Sequence, residues 1–143
     1  EQQNNIVLKE ISISSDRVIS GQSFDINFIF LKQDNAIYIS DITFHLVDDL
    51  GNLVYVSSTS KVGQDFKLEN GKIRATCYIP KKLMNEGHYT LSHLMFVKEK
   101  GTVLFNIKNC FSFNIEAKER DFGWIGEKEA GIVDPYLNWK IKT

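Results

Sequence analysis

Seven side chains in this 143-residue chain have the chemistry of recognition: His45, Tyr55, Arg74, Tyr78, Thr90, Ser92 and Asn114. Imidazole, hydroxyl and amide groups make directed hydrogen bonds, and a tyrosine ring offers a flat apolar plane; a sugar needs both, for its hydroxyls and for its C–H face. Arg74 adds a planar fork that can grip a carboxylate or phosphate through two parallel hydrogen bonds. Motifs for reaction are missing. There is no GxxxxGK[ST] phosphate loop, HExxH helix, GxSxG elbow or Gly-rich dinucleotide fingerprint. Asp41, Asp48 and Asp49 are the carboxylates to weigh for glycoside cleavage, which requires a pair about 5 to 10 Å apart, but aspartates in such settings more often bond to turn backbone. His88 and His93 differ by an odd number and are expected on opposite faces of one strand, with His45 on another, so no metal site is expected. No catalytic residue and no cofactor is assigned.

Strands must position these groups. Alternation of apolar and polar residues recurs with turn residues about every ten positions, and helical periodicity is nearly absent, which predicts an all-β antiparallel sandwich of about eight strands. Ile6 to Ile13 is a first strand. In Phe24 to Leu31, the residues Phe24, Ile26, Phe28 and Phe30 share the core face. Tyr38 to Val47 turns Ile42, Phe44 and Leu46 inward and Thr43 and His45 outward; Asp48 to Asn52 then reverses the chain into Leu53 to Ser57. Asn70-Gly71 predicts a type I′ hairpin, since both central positions need positive φ. The strand after it, Lys72 to Ile79, points Ile73, Ala75, Cys77 and Ile79 inward and Lys72, Arg74, Thr76 and Tyr78 outward. Pro80 ends it, a short turn or single helical turn spans Lys81 to Glu86, and His88 to Val97 follows. The last pair is Thr102 to Ile107 and Cys110 to Ile115. Two outward faces result. One carries His45, Tyr55, Thr90, Ser92, Ser112 and Asn114; the other carries Asp25, Asn27, Arg74, Thr76 and Tyr78 and suits an anionic sugar better.

Composition sets the outer bounds. Apolar residues make up 43% and charged residues 24%, ordinary for a globular chain large enough for one core, and no apolar run reaches the ~18 residues of a membrane helix. The net charge of −1 gives no general affinity for nucleic acid, although residues 1–71 sum to −5 and residues 72–143 to +4. Cys77 and Cys110 fit no zinc or redox spacing and are expected as free thiols in a reducing compartment. Residues 1–115 are expected to form the sandwich and residues 116–130 a charged linker. Residues 131–143 are expected to form an apolar strand in which Val133, Pro135, Leu137, Trp139 and Ile141 share one face. That face must be buried, on its own domain or by exchange with a second copy, so Val133, Leu137 and Trp139 are expected at a dimer interface. With no initiating Met and no signal-type segment, the chain reads as a piece of something longer or a processed form.

Several of these pieces, in order, resemble one family. Gly21 with Phe24 and Ile26, the Asp49 to Val54 turn, Ile79-Pro80 with Leu83, Gly87-His88-Tyr89, Asn109 with Phe113 and Ile115, and the closing Gly131-Ile132-Val133 to Trp139 strand are together similar to the C-terminal carbohydrate-binding domain of Wzt. Wzt is the nucleotide-binding subunit of ABC exporters for O-antigen polysaccharide. The resemblance implies an immunoglobulin-like or jelly-roll sandwich that dimerises by exchanging its last strand. It implies a cytoplasmic location at the inner face of the bacterial inner membrane, after an ATPase domain that meets the exporter's membrane subunit. The ligand it implies is the modified non-reducing terminus of an undecaprenyl-linked O-polysaccharide. Binding residues in that family vary with the glycan, so the candidate site above rests on outward-facing chemistry. The competing expectation is an immunoglobulin-like protein-interaction module without glycan specificity.

Overall fold

The computed structural model describes residues 2–98, 101–118 and 139–142. Ten strands are formed among them: β1 (Gln2–Gln3), β2 (Ile6–Ile13), β3 (Val18–Ile19), β4 (Phe24–Lys32), β5 (Tyr38–Val47), β6 (Leu53–Ser58), β7 (Phe66–Leu68), β8 (Gly71–Ile79), β9 (Gly87–Lys98) and β10 (Thr102–Glu116). The smaller sheet has the order β1-β2-β4-β8; the larger has the order β3-β10-β9-β5-β6, with β7 also paired to β5. All pairings are antiparallel except β3 with β10, which is parallel. The chain therefore changes sheets between Ile13 and Val18. This switch, and the order of the larger sheet, are the connections of an immunoglobulin-like sandwich.

Alternation on β4 sends Phe24, Ile26, Phe28 and Phe30 inward, all buried. Phe30 meets Phe96 at 4.6 Å and Phe105 at 5.8 Å between ring centroids, both edge to face, which ties the two sheets together at the centre of the core. Strict alternation also turns Lys32 inward, at 1% exposure. The loop after it answers that charge: the Lys32 ammonium donates to the Asp34 carboxylate and to the backbone oxygen of Ala36 at 2.5 Å, and lies over the Tyr38 ring. Near the start of β9, the buried Tyr89 hydroxyl donates to the Asn85 carbonyl at 2.8 Å, a corner bond typical of this architecture.

Two expectations are corrected. Asn70-Gly71 does not close a hairpin: β7 pairs with β5 in the larger sheet and β8 with β4 in the smaller, so these two residues carry the chain across the sandwich. Only Gly71 takes positive φ, at 120°. Thr102 to Ile107 and Cys110 to Ile115 are one bulged strand, with Asn109 at φ 49° absorbing the irregularity. A 3₁₀ turn at Ser60–Val62 was not expected. Asp48, by contrast, does what turn aspartates do: its carboxylate accepts from the backbone N–H of Leu50 and Asn52 at 3.0 and 2.8 Å.

Candidate functional site

The outer face of the larger sheet is built from cross-strand rows. His45 lies opposite His93, which lies opposite Lys108; Val47 lies opposite Thr90, which lies opposite Ser112; His88 lies opposite Asn114. The rows are hydrogen-bonded across the strands. Thr90 Oγ1 and Ser112 Oγ share a bond at 2.8 Å, and Asn114 Oδ1 accepts from His88 Nδ1 at 2.8 Å. Asn106 Oδ1 stands 3.2 Å from His93 Nδ1 in the same donor and acceptor relation. Each pairing holds a side chain in one rotamer and leaves outward donors and acceptors free, because a hydroxyl has two lone pairs and an amide keeps its NH₂. The face is thus an ordered array of hydroxyl, amide and imidazole groups, with Lys108 at the end of one row.

A β-bulge makes this array. His45 and Leu46 are consecutive on β5, yet pair with His93 and Leu91 on β9, so Ser92 is an extra residue. Its hydroxyl donates toward the His45 carbonyl at 3.5 Å. The extra residue reverses the parity of β9 beyond it, and the expectation that His88 and His93 face opposite ways is overturned: both are on the outer face. His93 there meets His45, with ring centroids 5.1 Å apart. Burial first, then His93 and Lys61, hold the His45 imidazole below its ordinary pKa, so it is neutral near pH 7. Among the described residues, no three or more His, Cys, Asp or Glu side chains gather as metal ligands would.

Beside Ser112 and Asn114 the face continues into a shallow groove of about 670 Å³. Its origin is the sheet change after β2. β3 covers β10 only at Ile115 and Glu116, and Gln3 and Asn4 cap the other end of β10 by side-chain bonds to Asn106 and Leu104. The stretch between lies open. Ser12, Ser15, Asp16, Arg17, Phe111 and Glu116 join Ser112 and Asn114 in lining it. Arg17 is locked to Glu116 by two hydrogen bonds of 2.8 Å, which hold the Glu116 carboxyl below its ordinary pKa and pin the loop before β3 against β10.

Of the sequence-derived site residues, His45, Thr90, Ser92 and Asn114 lie together on the larger sheet. Tyr55 does not join them. It pairs opposite Leu46, packs edge to face on Phe44 at 6.1 Å and points into the sandwich, where burial raises the pKa of its hydroxyl. The offset arises between Leu46 and Val47, where the β5–β6 register shifts by one residue. Arg74 and Tyr78 lie on the outer face of the smaller sheet, opposite Ile29 and Asp25, on the far side of the sandwich. They cannot share a ligand with Asn114. His88, His93, Asn106, Arg17 and Glu116 were missed. Their membership depends on register and on a bulge, for which a single sequence carries no signal.

Cys77 and Cys110 are free and half-buried, and burial raises both thiol pKa values. Of the residues expected at a dimer interface, Val133 and Leu137 lie outside the described residues, as does the linker beyond Lys118; Trp139 is 83% exposed. No described helix is long and apolar enough to cross a membrane.

No protein-family model matches the chain, and no curated protein matches it in sequence. Among solved structures it is similar to the C-terminal domain of wzt, with a TM-score of 0.73 over 98% of this chain and 86% of that one, at 13% identity. It is also similar to part of the alkylpurine DNA glycosylase AlkC of Pseudomonas fluorescens, bound to DNA containing an abasic site analog. There the TM-score is 0.54 over 79% of this chain and 31% of that one, at 13% identity. The fold of this chain is that of the Wzt C-terminal domain, an antiparallel sandwich with immunoglobulin-like connections.

Proposed function

We propose that this chain is a non-catalytic carbohydrate-binding domain of an O-antigen polysaccharide ABC exporter. Its ligand is the modified non-reducing terminus of the completed lipid-linked glycan, and binding licenses export. The observation that carries this reading is the outer face of the larger sheet, where Thr90, Ser112, His88 and Asn114 form a pre-ordered hydrogen-bonding array beside an open groove, on the fold of the Wzt C-terminal domain. A sugar hydroxyl exchanging water for such groups gains little per bond, so affinity is modest, in the micromolar to millimolar range. A nucleic-acid ligand is disfavoured by the net charge of −1 and by a face on which Lys108 is the only cation in the three rows described.

The domain works in the cytoplasm, joined to an ATPase domain that engages the exporter's membrane subunit. Two copies assemble through Val133, Leu137 and Trp139; the exposure of Trp139 and Ile141 in the single chain, 83% and 85%, supports that assignment. Titration with capped and uncapped oligosaccharide tests recognition. Tighter binding of the capped form is expected, and equal affinity for both would remove cap recognition. Deleting residues 131–143 is expected to give a monomer or an aggregate by solution mass, and an unchanged dimer would refute the exchange.

A further inference from the structure

A second opening lies between the sheets, on the side away from β10. β8 is the edge of the smaller sheet there and β6 an edge of the larger, and Val62 of the 3₁₀ turn Ser60–Val62 helps line the opening. The core should close at this mouth, but the inward positions are small: Ala75 and Cys77 on β8 and Ser57 on β6. What remains is a cleft of about 370 Å³ floored by Phe28, Ile42 and Phe44. Thr76, Tyr78, Ser58 and Gln64 stand around its rim. Tyr78, on that rim, is 75% exposed, so its ring is accessible to a ligand entering the cleft.

The lining decides the ligand class. None of the lining residues is charged, so a carboxylate or phosphate entering the cleft would lose hydration and gain no counter-charge. The rim offers hydroxyls and the Gln64 amide, and the floor is aromatic and aliphatic. That combination suits a neutral ring with one hydroxylated side and one apolar side. The volume is at the low end of small-ligand sites, which run from about 300 to 1,000 Å³, and fits one ring better than a chain.

We propose that the cleft between β6 and β8 is a separate subsite for one neutral sugar residue bearing an apolar patch, of the 6-deoxyhexose class. The proposal rests on the reading of the domain as a glycan binder and deepens it. The larger sheet's outer face holds the hydroxyl-rich part of a glycan, while the cleft selects against charge. It also assigns Tyr78 a role distinct from that of Arg74, its neighbour on the same strand: Tyr78 is the lip of the cleft.

Cys77 lines the cleft and Cys110 does not, which supplies an internal reporter. The full chain is treated with N-ethylmaleimide, and the alkylation of each cysteine is followed by peptide mass. Methyl α-L-rhamnopyranoside, methyl α-D-mannopyranoside and glucuronic acid are compared as protectants. The deoxy sugar is expected to slow Cys77 alkylation at least threefold with Cys110 unchanged, the mannoside less, and glucuronic acid not at all. Gln64→Ala and Tyr78→Ala should each weaken protection severalfold, and Ala75→Leu, which fills the floor, should abolish it. Should Ala75→Leu fail to fold, the two rim variants still decide the matter. Unchanged Cys77 alkylation with the deoxy sugar, or equal protection by glucuronic acid, overturns the subsite. NMR shifts separate the two levels: shifts at Thr90, Ser112 and Asn114 with none from Ala75 to Tyr78 overturn the cleft but leave glycan recognition standing. No shift anywhere, with these sugars or with whole polysaccharide, overturns both.

Discussion

The two outer faces of this sandwich are made by the same alternation and differ in how much long charged side chain they carry. The smaller sheet has one short neutral row, Ser12, Asn27 and Thr76, with Thr76 Oγ1 donating to Asn27 Oδ1 at 2.9 Å. On the smaller sheet, Lys72 lies opposite Leu31, and Arg74 lies opposite Ile29, itself opposite Glu10; long charged side chains lie over aliphatic ones. Such residues cover apolar surface with their stems while their heads stay hydrated. On the larger sheet most of the corresponding positions are short hydroxyl, amide and imidazole side chains joined to each other by hydrogen bonds, with Lys108 at the end of one row. Long charged chains lose considerable rotamer entropy when a ligand fixes them, and short paired ones lose little because they are already fixed. On the proposed function, this difference is why the hydroxylated ligand is assigned to the larger sheet's outer face and not to Arg74 and Lys72 on the smaller sheet.

The largest effect expected is one that breaks both faces together. Phe30→Ala removes the ring that links Phe96 and Phe105 across the core and should cost about 3–5 kcal/mol in urea unfolding. Tyr89→Phe should cost about 1–2 kcal/mol by leaving the buried Asn85 carbonyl without this donor, and should leave glycan affinity in the folded protein within twofold. The comparison itself is sharpened by paired variants. Thr90→Val with Asn114→Leu should lower affinity for the polysaccharide terminus at least tenfold by calorimetry, with stability changed by less than about 0.5 kcal/mol. Arg74→Ala on the opposite face should leave affinity within twofold; a tenfold loss there would transfer the site to the smaller sheet.

The smallest effect is on pH dependence. His45 has a folded pKa below its unfolded value, so between the two values the unfolded chain binds more protons and stability rises with pH. This contribution is intact above about pH 6.5 and is lost as pH falls through that value toward the folded pKa. The melting temperature should therefore decline from pH 7 to pH 5, and His45→Gln should flatten that decline. An unchanged slope would show that His45 is not the group that senses acid.

Much of the fold was legible because alternation reports which side of a strand must be buried. Phe24 to Phe30, Ile42 to Leu46 and Ile73 to Ile79 all face as their period requires, and Asp48 to Asn52 makes its turn from its own side chains. The same rule failed where it has no knowledge of insertions. One extra residue, Ser92, brought His93 to the outer face, and a one-residue shift at Leu46/Val47 turned Tyr55 inward. Asn70-Gly71 has the local preference for a hairpin, but the strand after it found its partner in β4 across the core, and burial of Ile73 and Ile79 outweighs a turn preference.

The candidate site divides along the same line. His45, Thr90 and Asn114 were found as polar residues on strands, and nothing more than period was needed. Their pairing with His93, Ser112 and His88, the groove opened by the sheet change after β2, and the separation of Arg74 and Tyr78 onto the opposite side come from contacts between residues distant in the chain. Sequence by itself determined the long strands, their buried sides away from bulges, and the absence of catalytic motifs, because those follow from local period and residue type. Only the tertiary structure decided which outward residues share one surface, because strand register and sheet order are set by the packing of the whole core.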